Sequence, residues 1–142
     1  MSTATRTAHY VTAATASGRD GRAVSSDGGL DVTLAAPREL GGSGEGTNPE
    51  QLFAAGYAAC FASALGVVAR QRRVGDLDAA VTAEVSLSGN GREGFGLAVV
   101  LHIELPEGVD SVLGRELVEM AHRVCPYSNA TRGNIPVELV VV

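Results

Sequence analysis

The sequence contains no lysine and no tryptophan, and each absence excludes something. All 11 basic residues are arginine, so a Schiff-base lysine mechanism is excluded. Any anion that this chain binds must therefore be met by arginine, histidine or backbone N–H groups. Aromatic residues make up only 4% of the chain, although hydrophobic residues make up 45%. The composition predicts a folded core built mainly from valine, leucine and alanine.

Positive charge is also scarce. Acidic residues number 16 against 11 basic ones, which gives a net charge of −5 and argues against a nucleic-acid partner. The 142 residues have the length of one ordinary domain, without a linker or repeat, so we predict a single domain over residues 1–142. We find no signal peptide and no apolar stretch of membrane-spanning length. We therefore expect a soluble cytoplasmic protein with no membrane partner.

Cysteine is also scarce, since the chain has only Cys60 and Cys125. In a reducing compartment, two cysteines are more often catalytic, redox-active or inert than a permanent disulfide. The histidines are scattered, and neither CxxC nor HExxH is present. The spacing of these side chains predicts no metal site.

The first third of the chain has the pattern of short strands joined by glycine turns. Residues 9–16 are weakly β, and glycine-flanked turns are predicted at 18–22 and 27–29. Alternating apolar and polar residues predict a half-buried strand at 30–36. The glycine-rich segment 37–50 that follows is interpreted as a loop, since it does not separate a strand from a helix in the dinucleotide-binding manner.

A long helix is predicted to follow this loop. Asn48 suits the N-cap, Pro49 the first helical position, and Gln51 the capping box. From Leu52 to about Arg70 nearly every residue is apolar or small. A helix that is apolar on most sides is expected to be buried on most sides. In a chain this short, that pattern suggests burial against a second subunit.

The remainder alternates strands and one amphipathic helix. Strands are predicted at 80–89 and 97–105, with a hairpin loop between them. An amphipathic helix is predicted at 110–125, with Leu113, Leu117, Met120 and Val124 forming its apolar stripe and with Pro126 ending it. A closing strand is predicted at 135–142. This order predicts an α+β fold with a mostly antiparallel sheet.

Cys60 allows two interpretations from its surroundings alone. It is either a small core thiol, because free cysteine is often buried, or a nucleophile held in an apolar pocket. An ordinary cysteine has a pKa of about 8.5, and burial alone disfavours its thiolate. A reactive Cys60 therefore needs a nearby cation, which here must be an arginine, and a carboxylate could hold that arginine in place. Composition and spacing do not identify which arginine.

Two longer motifs give a more specific indication. The segments "TNPEQLFAAGYAACF" and "CPYSNATRGN" resemble the organic hydroperoxide resistance (Ohr) family within the Ohr/OsmC superfamily. The resemblance covers nearly the whole chain. It implies a sheet wrapped around a long central buried helix, in an intertwined homodimer. It also implies a thiol-dependent peroxidase of alkyl and fatty-acid hydroperoxides, with no metal, haem or flavin cofactor. The implied reductant is a lipoylated protein or dihydrolipoamide.

The same resemblance assigns roles to four residues. It implies that Cys60 is the peroxidatic cysteine, that Cys125 is the resolving cysteine, and that the two form a disulfide. It further implies that Arg19, in "GRDGR", activates the thiolate and that Glu50, in "NPEQ", holds this arginine. We also assign a substrate pocket that favours bulky alkyl groups to the aromatic residues Phe53, Tyr57, Phe61 and Phe95.

Glu50 and Cys60 raise a problem of distance. Ten residues on one continuous helix correspond to about 15 Å of rise, which a single arginine does not readily bridge. Either the helix breaks, or the Glu50 that holds Arg19 near Cys60 belongs to the other subunit, and we favour the second. Two alternative functions remain at this point. They are an OsmC-like peroxidase with another substrate preference and a non-enzymatic binding domain with idle cysteines.

Overall fold

The computed structural model describes residues 7–142 and divides into two compact units, one ending at Pro49 and the other spanning Glu50–Val142. The first unit is an antiparallel sheet of β1 (Ala14–Ala16), β2 (Gly21–Ser25) and β3 (Asp31–Leu34), in that order. β1 is much shorter than the strand predicted at 9–16. The turn predicted at 18–22 is also shorter, because its last two residues already belong to β2. The expectation of one domain over residues 1–142 stays a prediction.

The second unit contains a sheet with the order β4-β5-β6. Its strands are β4 (Ala80–Asn90), β5 (Gly94–Glu104) and β6 (Val137–Val141). β4 and β5 form the predicted hairpin, with a tighter loop than expected because both strands continue to the turn at 91–93. β6 pairs with β5 in parallel, since the chain crosses over through helices before it returns.

Three α-helices complete this unit: α1 (Pro49–Gln71), α2 (Ser111–Val124) and α3 (Pro126–Thr131). α1 begins at the predicted Pro49. α2 begins after Asp110, whose carboxylate accepts a 3.2 Å hydrogen bond from the backbone N–H of Leu113, as expected of an N-cap. α3 was not predicted. Pro126 ends α2 and also starts α3, because a proline suits the first position of a helix.

The core of the second unit lies between its sheet and the helices. Tyr57, Phe61, Leu65 and Val68 form the buried face of α1 and belong to one cluster with residues of β5 and α2. The fully or almost fully buried members from these two elements are Val99, Leu101, Ile103, Leu117, Val118 and Ala121. Burial of each large side chain contributes about 1.5–3 kcal/mol to the stability of the fold. This cluster therefore holds α1 and α2, and the side chains on them, in fixed positions.

The predicted apolar stripe of α2 is partly wrong. Leu117 is buried and Leu113 and Met120 are partly buried, but Val124 is 47% exposed. Gly114 is buried instead, and a Cβ there would lie 2.6 Å from a methyl carbon of Leu105. The buried face of α2 therefore includes Gly114 and excludes Val124.

The face of α1 opposite its buried side is exposed within this chain, at Ala55, Ala59, Ser63 and Val67. Burial of this face against a second subunit stays a prediction. α1 is also long and apolar enough to cross a membrane by length and composition, contrary to the expectation that no such stretch exists. The core helix of a folded protein meets the same criterion, and the buried face of α1 fits that description.

Candidate active site

The two cysteines lie next to each other. The Sγ atoms of Cys60 and Cys125 are 3.3 Å apart, and both residues are free thiols. Cys60 lies midway along α1 and is partly buried, whereas Cys125 is fully buried between α2 and α3. A disulfide bond is about 2.05 Å long, so the sulfurs need to approach by only about 1.3 Å to form one.

Cys125 is held from both sides by backbone hydrogen bonds. Its N–H donates to the carbonyl of Ala121 in α2 at 2.9 Å, and its own carbonyl accepts from the N–H of Asn129 in α3 at 3.0 Å. The residue is therefore the last link of one helix and the first of the next. Formation of a disulfide must be accommodated mainly by rotation of the two side chains.

The surroundings of Cys60 act on its pKa in opposite directions. Burial raises the pKa of the Cys60 thiol above its ordinary value and is the largest influence. A hydrogen bond from the backbone N–H of Tyr127 lowers it, and the neighbouring Cys125 raises it again. The net direction is upward, so Cys60 becomes a thiolate at neutral pH only if a positive charge beside it outweighs its burial.

Three aromatic side chains, Phe53 and Tyr57 from the turns of α1 before Cys60 and Tyr127 from α3, pack together and are called the aromatic wall. The rings of Phe53 and Tyr57 meet edge to face with centroids 6.0 Å apart, and Tyr127 lies 5.9 Å from the first and 5.6 Å from the second. Tyr127 is 37% exposed, so it presents an aromatic surface to solvent beside the sulfurs. Sequence reasoning missed Tyr127, although its position two residues after Cys125 was a usable signal.

Gly56 explains why Tyr127 can lie against α1. A Cβ at this position would be 2.7 Å from the phenol oxygen of Tyr127 and 3.2 Å from the ring. Glycine within a helix costs about 0.5–1 kcal/mol relative to alanine, so its use here exchanges helix stability for close contact with this ring.

The other predicted pocket residues lie in different surroundings. Tyr57 and Phe61 are fully buried. The ring of Phe61 packs against His122 with centroids 6.4 Å apart. Phe95 is 65% exposed at the start of β5, where it pairs with Gly89, and it lies outside the hydrophobic cluster of the described residues. Of the four predicted residues, the structure therefore brings Phe53 and Tyr57 together with Tyr127.

A buried polar network links α1, α2 and α3, the helices that hold or flank the two cysteines. Sequence reasoning missed this network too. The hydroxyl groups of Tyr57 and Ser128 are 2.8 Å apart, and Ser128 Oγ is 2.8 Å from Nδ1 of His122. The Tyr57 hydroxyl also lies 3.3 Å from Thr131 Oγ1. Burial, followed by the charge of Arg132, lowers the pKa of His122, which favours the neutral form of its ring.

Arg19 and Glu50 lie in different units of the chain. Arg19 occupies the bend between β1 and β2, and Glu50 is in the first turn of α1. α1 is unbroken from Pro49 to Gln71, so the broken-helix explanation for Glu50 is wrong. Ten residues of continuous helix separate Glu50 from the Cys60 of its own chain by about 15 Å along the axis.

Neither a metal-ligand cluster nor a cavity elsewhere in the described residues adds to the chemistry of the cysteine pair. Within residues 7–142, no cluster of three or more histidine, cysteine, aspartate or glutamate residues is placed to hold a metal ion. A cavity of about 570 Å³ lies where β5 ends and α2 begins, and Leu105, Val109, Arg115 and Val142 are among its lining residues. Neither cysteine contributes to this cavity, so its position does not define the chemistry of the cysteine pair.

Known proteins resemble this chain over most of its length. Residues 42–140 match the family described as OsmC-like protein. The organic hydroperoxide resistance protein of Xanthomonas axonopodis pv. citri is 55% identical over 135 residues, which are 93% of this chain and 94% of that protein. The protein OhrA of Bacillus subtilis, which bears the same description, is 48% identical over 130 residues, or 87% and 89% of the two chains.

Solved structures agree with these sequence matches. An organic hydroperoxide resistance protein from Legionella pneumophila has a TM-score of 0.89 at 50% identity and covers 95% of this chain and 98% of its own. Organic hydroperoxide resistance protein OhrB of Bacillus subtilis has a TM-score of 0.83 at 41% identity, with coverage of 95% and 100%. The α+β fold predicted from the sequence is confirmed by this likeness.

Proposed function

Because this chain belongs to the OsmC-like protein family, we propose that it is a thiol peroxidase that reduces organic hydroperoxides to alcohols. Relatives described as organic hydroperoxide resistance proteins support a role in peroxide detoxification. The observation that carries the chemical proposal is the 3.3 Å separation of the two free thiols beside an aromatic wall. This arrangement suits a nucleophilic sulfur with a second sulfur placed to capture its oxidised form.

The first step is oxidation of Cys60. Its thiolate attacks the outer oxygen of the hydroperoxide, and the O–O bond breaks as the S–O bond forms. The leaving alkoxide takes a proton and departs as an alcohol, so the peroxide is reduced by two electrons and Cys60 becomes a sulfenic acid. Cys60 suits this role because it is partly exposed, whereas Cys125 is fully buried.

The second step protects the oxidised sulfur. The Cys125 thiol attacks the Cys60 sulfenic acid, an S–S bond replaces the S–O bond, and water leaves. The short distance between the sulfurs favours this reaction over a second encounter with peroxide, which would give a sulfinic acid. A dithiol then reopens the disulfide by exchange, and we propose dihydrolipoamide or a lipoylated protein for this role, in the cytoplasm.

Activation of Cys60 requires a cation, since burial raises its pKa. We assign this role to Arg19, held by the carboxylate of Glu50. An arginine beside a thiolate stabilises the anion, and its N–H groups can also meet the charge that develops on the leaving alkoxide.

A homodimer accounts for two features together. The exposed face of α1 contains small residues at intervals of four, namely Ala55, Ala59 and Ser63, which allow close approach of a second helix. The unbroken α1 keeps Glu50 about 15 Å from the Cys60 of its own chain. We therefore propose that Glu50 acts at the Cys60 site of the partner subunit.

Substrate preference is the direct test of this function. With dihydrolipoamide as reductant, we expect cumene hydroperoxide to be reduced faster than hydrogen peroxide. If the aromatic wall removes roughly 100 Å² of apolar substrate surface from water, the advantage is about 2.5 kcal/mol, or about 70-fold in kcat/KM. Peroxide consumption measured for both substrates at matched concentrations gives this ratio.

The two alternatives give different results in the same assay. An OsmC-like peroxidase with another substrate preference would reduce hydrogen peroxide as fast as, or faster than, cumene hydroperoxide. A binding domain with idle cysteines would consume neither. Replacing dihydrolipoamide with glutathione serves as the control for the proposed reductant, and equal rates with both would contradict that assignment.

A second prediction concerns Arg19. In a Cys125→Ser background, Arg19→Ala is expected to raise the pKa of Cys60 by about 1–3 units, because the cation that stabilises the thiolate is gone. Alkylation of Cys60 by iodoacetamide at pH 7 should then slow by about tenfold or more. The rate should recover as the pH rises toward the new pKa, and its pH profile measures the shift.

Arg22 provides the matched control for Arg19. It lies nearby in β2 and forms a salt bridge with Asp31 on the surface. Arg22→Ala should leave the pH profile of Cys60 alkylation unchanged. Equal effects of the two substitutions, or no effect of Arg19→Ala, would remove Arg19 from the proposed site.

A further inference from the structure

The buried polar network has no role in the function proposed so far. It joins one residue of α1, one of α2 and two of α3, and the hydroxyl-bearing members Tyr57, Ser128 and Thr131 are all buried. Among residues 7–142, no buried side-chain nitrogen or oxygen lacks a hydrogen-bond partner, so this network is fully satisfied. A complete buried network fixes the relative positions of the helices that contribute to it.

The hydrogens of this network can be assigned by counting donors. Thr131 Oγ1 donates its only hydrogen to the carbonyl of Ser128 at 3.1 Å. The 3.3 Å contact between Tyr57 and Thr131 must therefore use the hydrogen of Tyr57. The 2.8 Å contact between Tyr57 and Ser128 then uses the hydrogen of Ser128.

His122 is the donor in its contact with Ser128. Because the only hydrogen of the Ser128 hydroxyl is donated to Tyr57, the hydrogen in the 2.8 Å contact between Ser128 and His122 comes from the ring. His122 is therefore the tautomer with its hydrogen on Nδ1, and it starts a chain of donors that runs through Ser128 and Tyr57 to Thr131. The lowered pKa of His122 agrees with a neutral ring in this position.

Members of the network lie three residues, or about one helical turn, from each of the two cysteines. Tyr57 is three residues before Cys60 in α1, which is about one helical turn. His122 is three residues before Cys125 and Ser128 is three residues after it. Each hydrogen bond between Tyr57 and Ser128 or between Ser128 and His122 thus joins backbone turns that also hold a sulfur.

We propose that Tyr57, Ser128 and His122 are positioning residues that hold the Cys125 thiol against Cys60 and so set how readily the disulfide closes. The catalytic consequence rests on the proposed peroxidase function, in which a Cys60 sulfenic acid and the Cys125 thiol give a disulfide and water. The positioning itself does not, because the same dithiol and disulfide exchange with any thiol redox buffer.

The experiment measures the effective concentration of the Cys60–Cys125 pair. Purified full-length protein is equilibrated in glutathione buffers of graded redox ratio, quenched by alkylation, and scored for disulfide by mass spectrometry. Tyr57→Phe removes the phenol hydroxyl and should lower the effective concentration about tenfold or more, because two buried hydrogen bonds between α1 and α3 are lost. Tyr10→Phe is the matched control, since Tyr10 is 77% exposed and should behave as wild type.

The histidine gives a pair of variants that separates positioning from simple stability. In His122→Asn the side-chain amide can stand where Nδ1–H stands and still donate to Ser128, whereas the longer His122→Gln places its amide elsewhere. We expect His122→Asn to keep the wild-type effective concentration and His122→Gln to lower it several-fold. His122 is only partly buried, so both variants should fold even if Tyr57→Phe does not.

The results expected if these residues position Cys125 differ from those expected if they do not. Loss of effective concentration in Tyr57→Phe and His122→Gln, with retention in Tyr10→Phe and His122→Asn, supports the inference. Wild-type behaviour of Tyr57→Phe and His122→Gln, or equal loss in both His122 variants, overturns it. If the wild-type protein consumes no alkyl hydroperoxide, the proposed function fails while the redox titration still decides the positioning role.

Discussion

Cys60→Ser is expected to abolish reduction of organic hydroperoxides, with a loss of at least about 10³-fold. A serine hydroxyl is not ionised near neutral pH and is a far weaker nucleophile than a thiolate, so the first step cannot proceed. The measurement is consumption of cumene hydroperoxide with dihydrolipoamide as reductant. A Cys60→Ser protein that retained substantial activity would place the nucleophile elsewhere and contradict the proposed mechanism.

Cys125→Ser is the informative partner of this variant. It should still reduce a first equivalent of hydroperoxide, because the Cys60 nucleophile is intact, and a second equivalent is consumed when the sulfenic acid is oxidised further. Without the second sulfur at 3.3 Å, the sulfenic acid remains exposed to further peroxide and should advance to sulfinic acid. Mass spectrometry should show a gain of two oxygens on Cys60 in this variant and a disulfide in the wild type.

The second large effect is expected from mixed dimers. If Glu50 acts on the partner subunit, a dimer of one Cys60→Ser subunit and one Glu50→Ala subunit has one complete site, because the intact Cys60 faces an intact Glu50. We therefore expect about half of the wild-type rate, although the Cys60→Ser homodimer is inactive and the Glu50→Ala homodimer is strongly impaired. Co-expression with two different affinity tags allows this mixed dimer to be isolated and assayed.

The mirror combination is the control. When both substitutions are placed on one subunit and the other is wild type, Glu50 action across the dimer leaves no complete site, so activity should be close to zero. If Glu50 acts within its own subunit, the two results exchange: the first dimer is impaired and the second retains half of the rate. Purification of only monomers would contradict the homodimer itself.

The sequence predicted what depends on local pattern. The start of α1 at Pro49 follows from capping chemistry, and the β4–β5 hairpin follows from alternation of apolar and polar residues. Features that depend on distant contacts were missed. α3 is only six residues long, too short for helical periodicity to appear, and the exposed face of α1 looks the same in sequence as its buried face.

The residues of the candidate site also fall into those that the sequence indicated and those that it did not. Cys60 and Cys125 were singled out because cysteine is rare here, and the family resemblance paired them. Tyr127 was missed although it follows Cys125 by only two residues, whereas the Ser128–His122 contact has no sequence pattern of its own. This contact becomes visible only when the fold brings α2 and α3 together. Phe95 is exposed in a glycine-rich hairpin and lies apart from the hydrophobic cluster of the described residues, so its assignment to the pocket stays a prediction.

Because the two sulfurs differ in exposure, a disulfide between them is open to attack at only one of its sulfurs. An incoming dithiol can reach Cys60, which is partly exposed, but not Cys125, which is wholly enclosed by protein. In the proposed cycle, the dithiol therefore attacks Cys60, and Cys125 is the leaving group in the protein interior. The transient mixed disulfide with the electron donor would then form on the same sulfur that reacts with the peroxide, so oxidant and reductant would use one opening in turn.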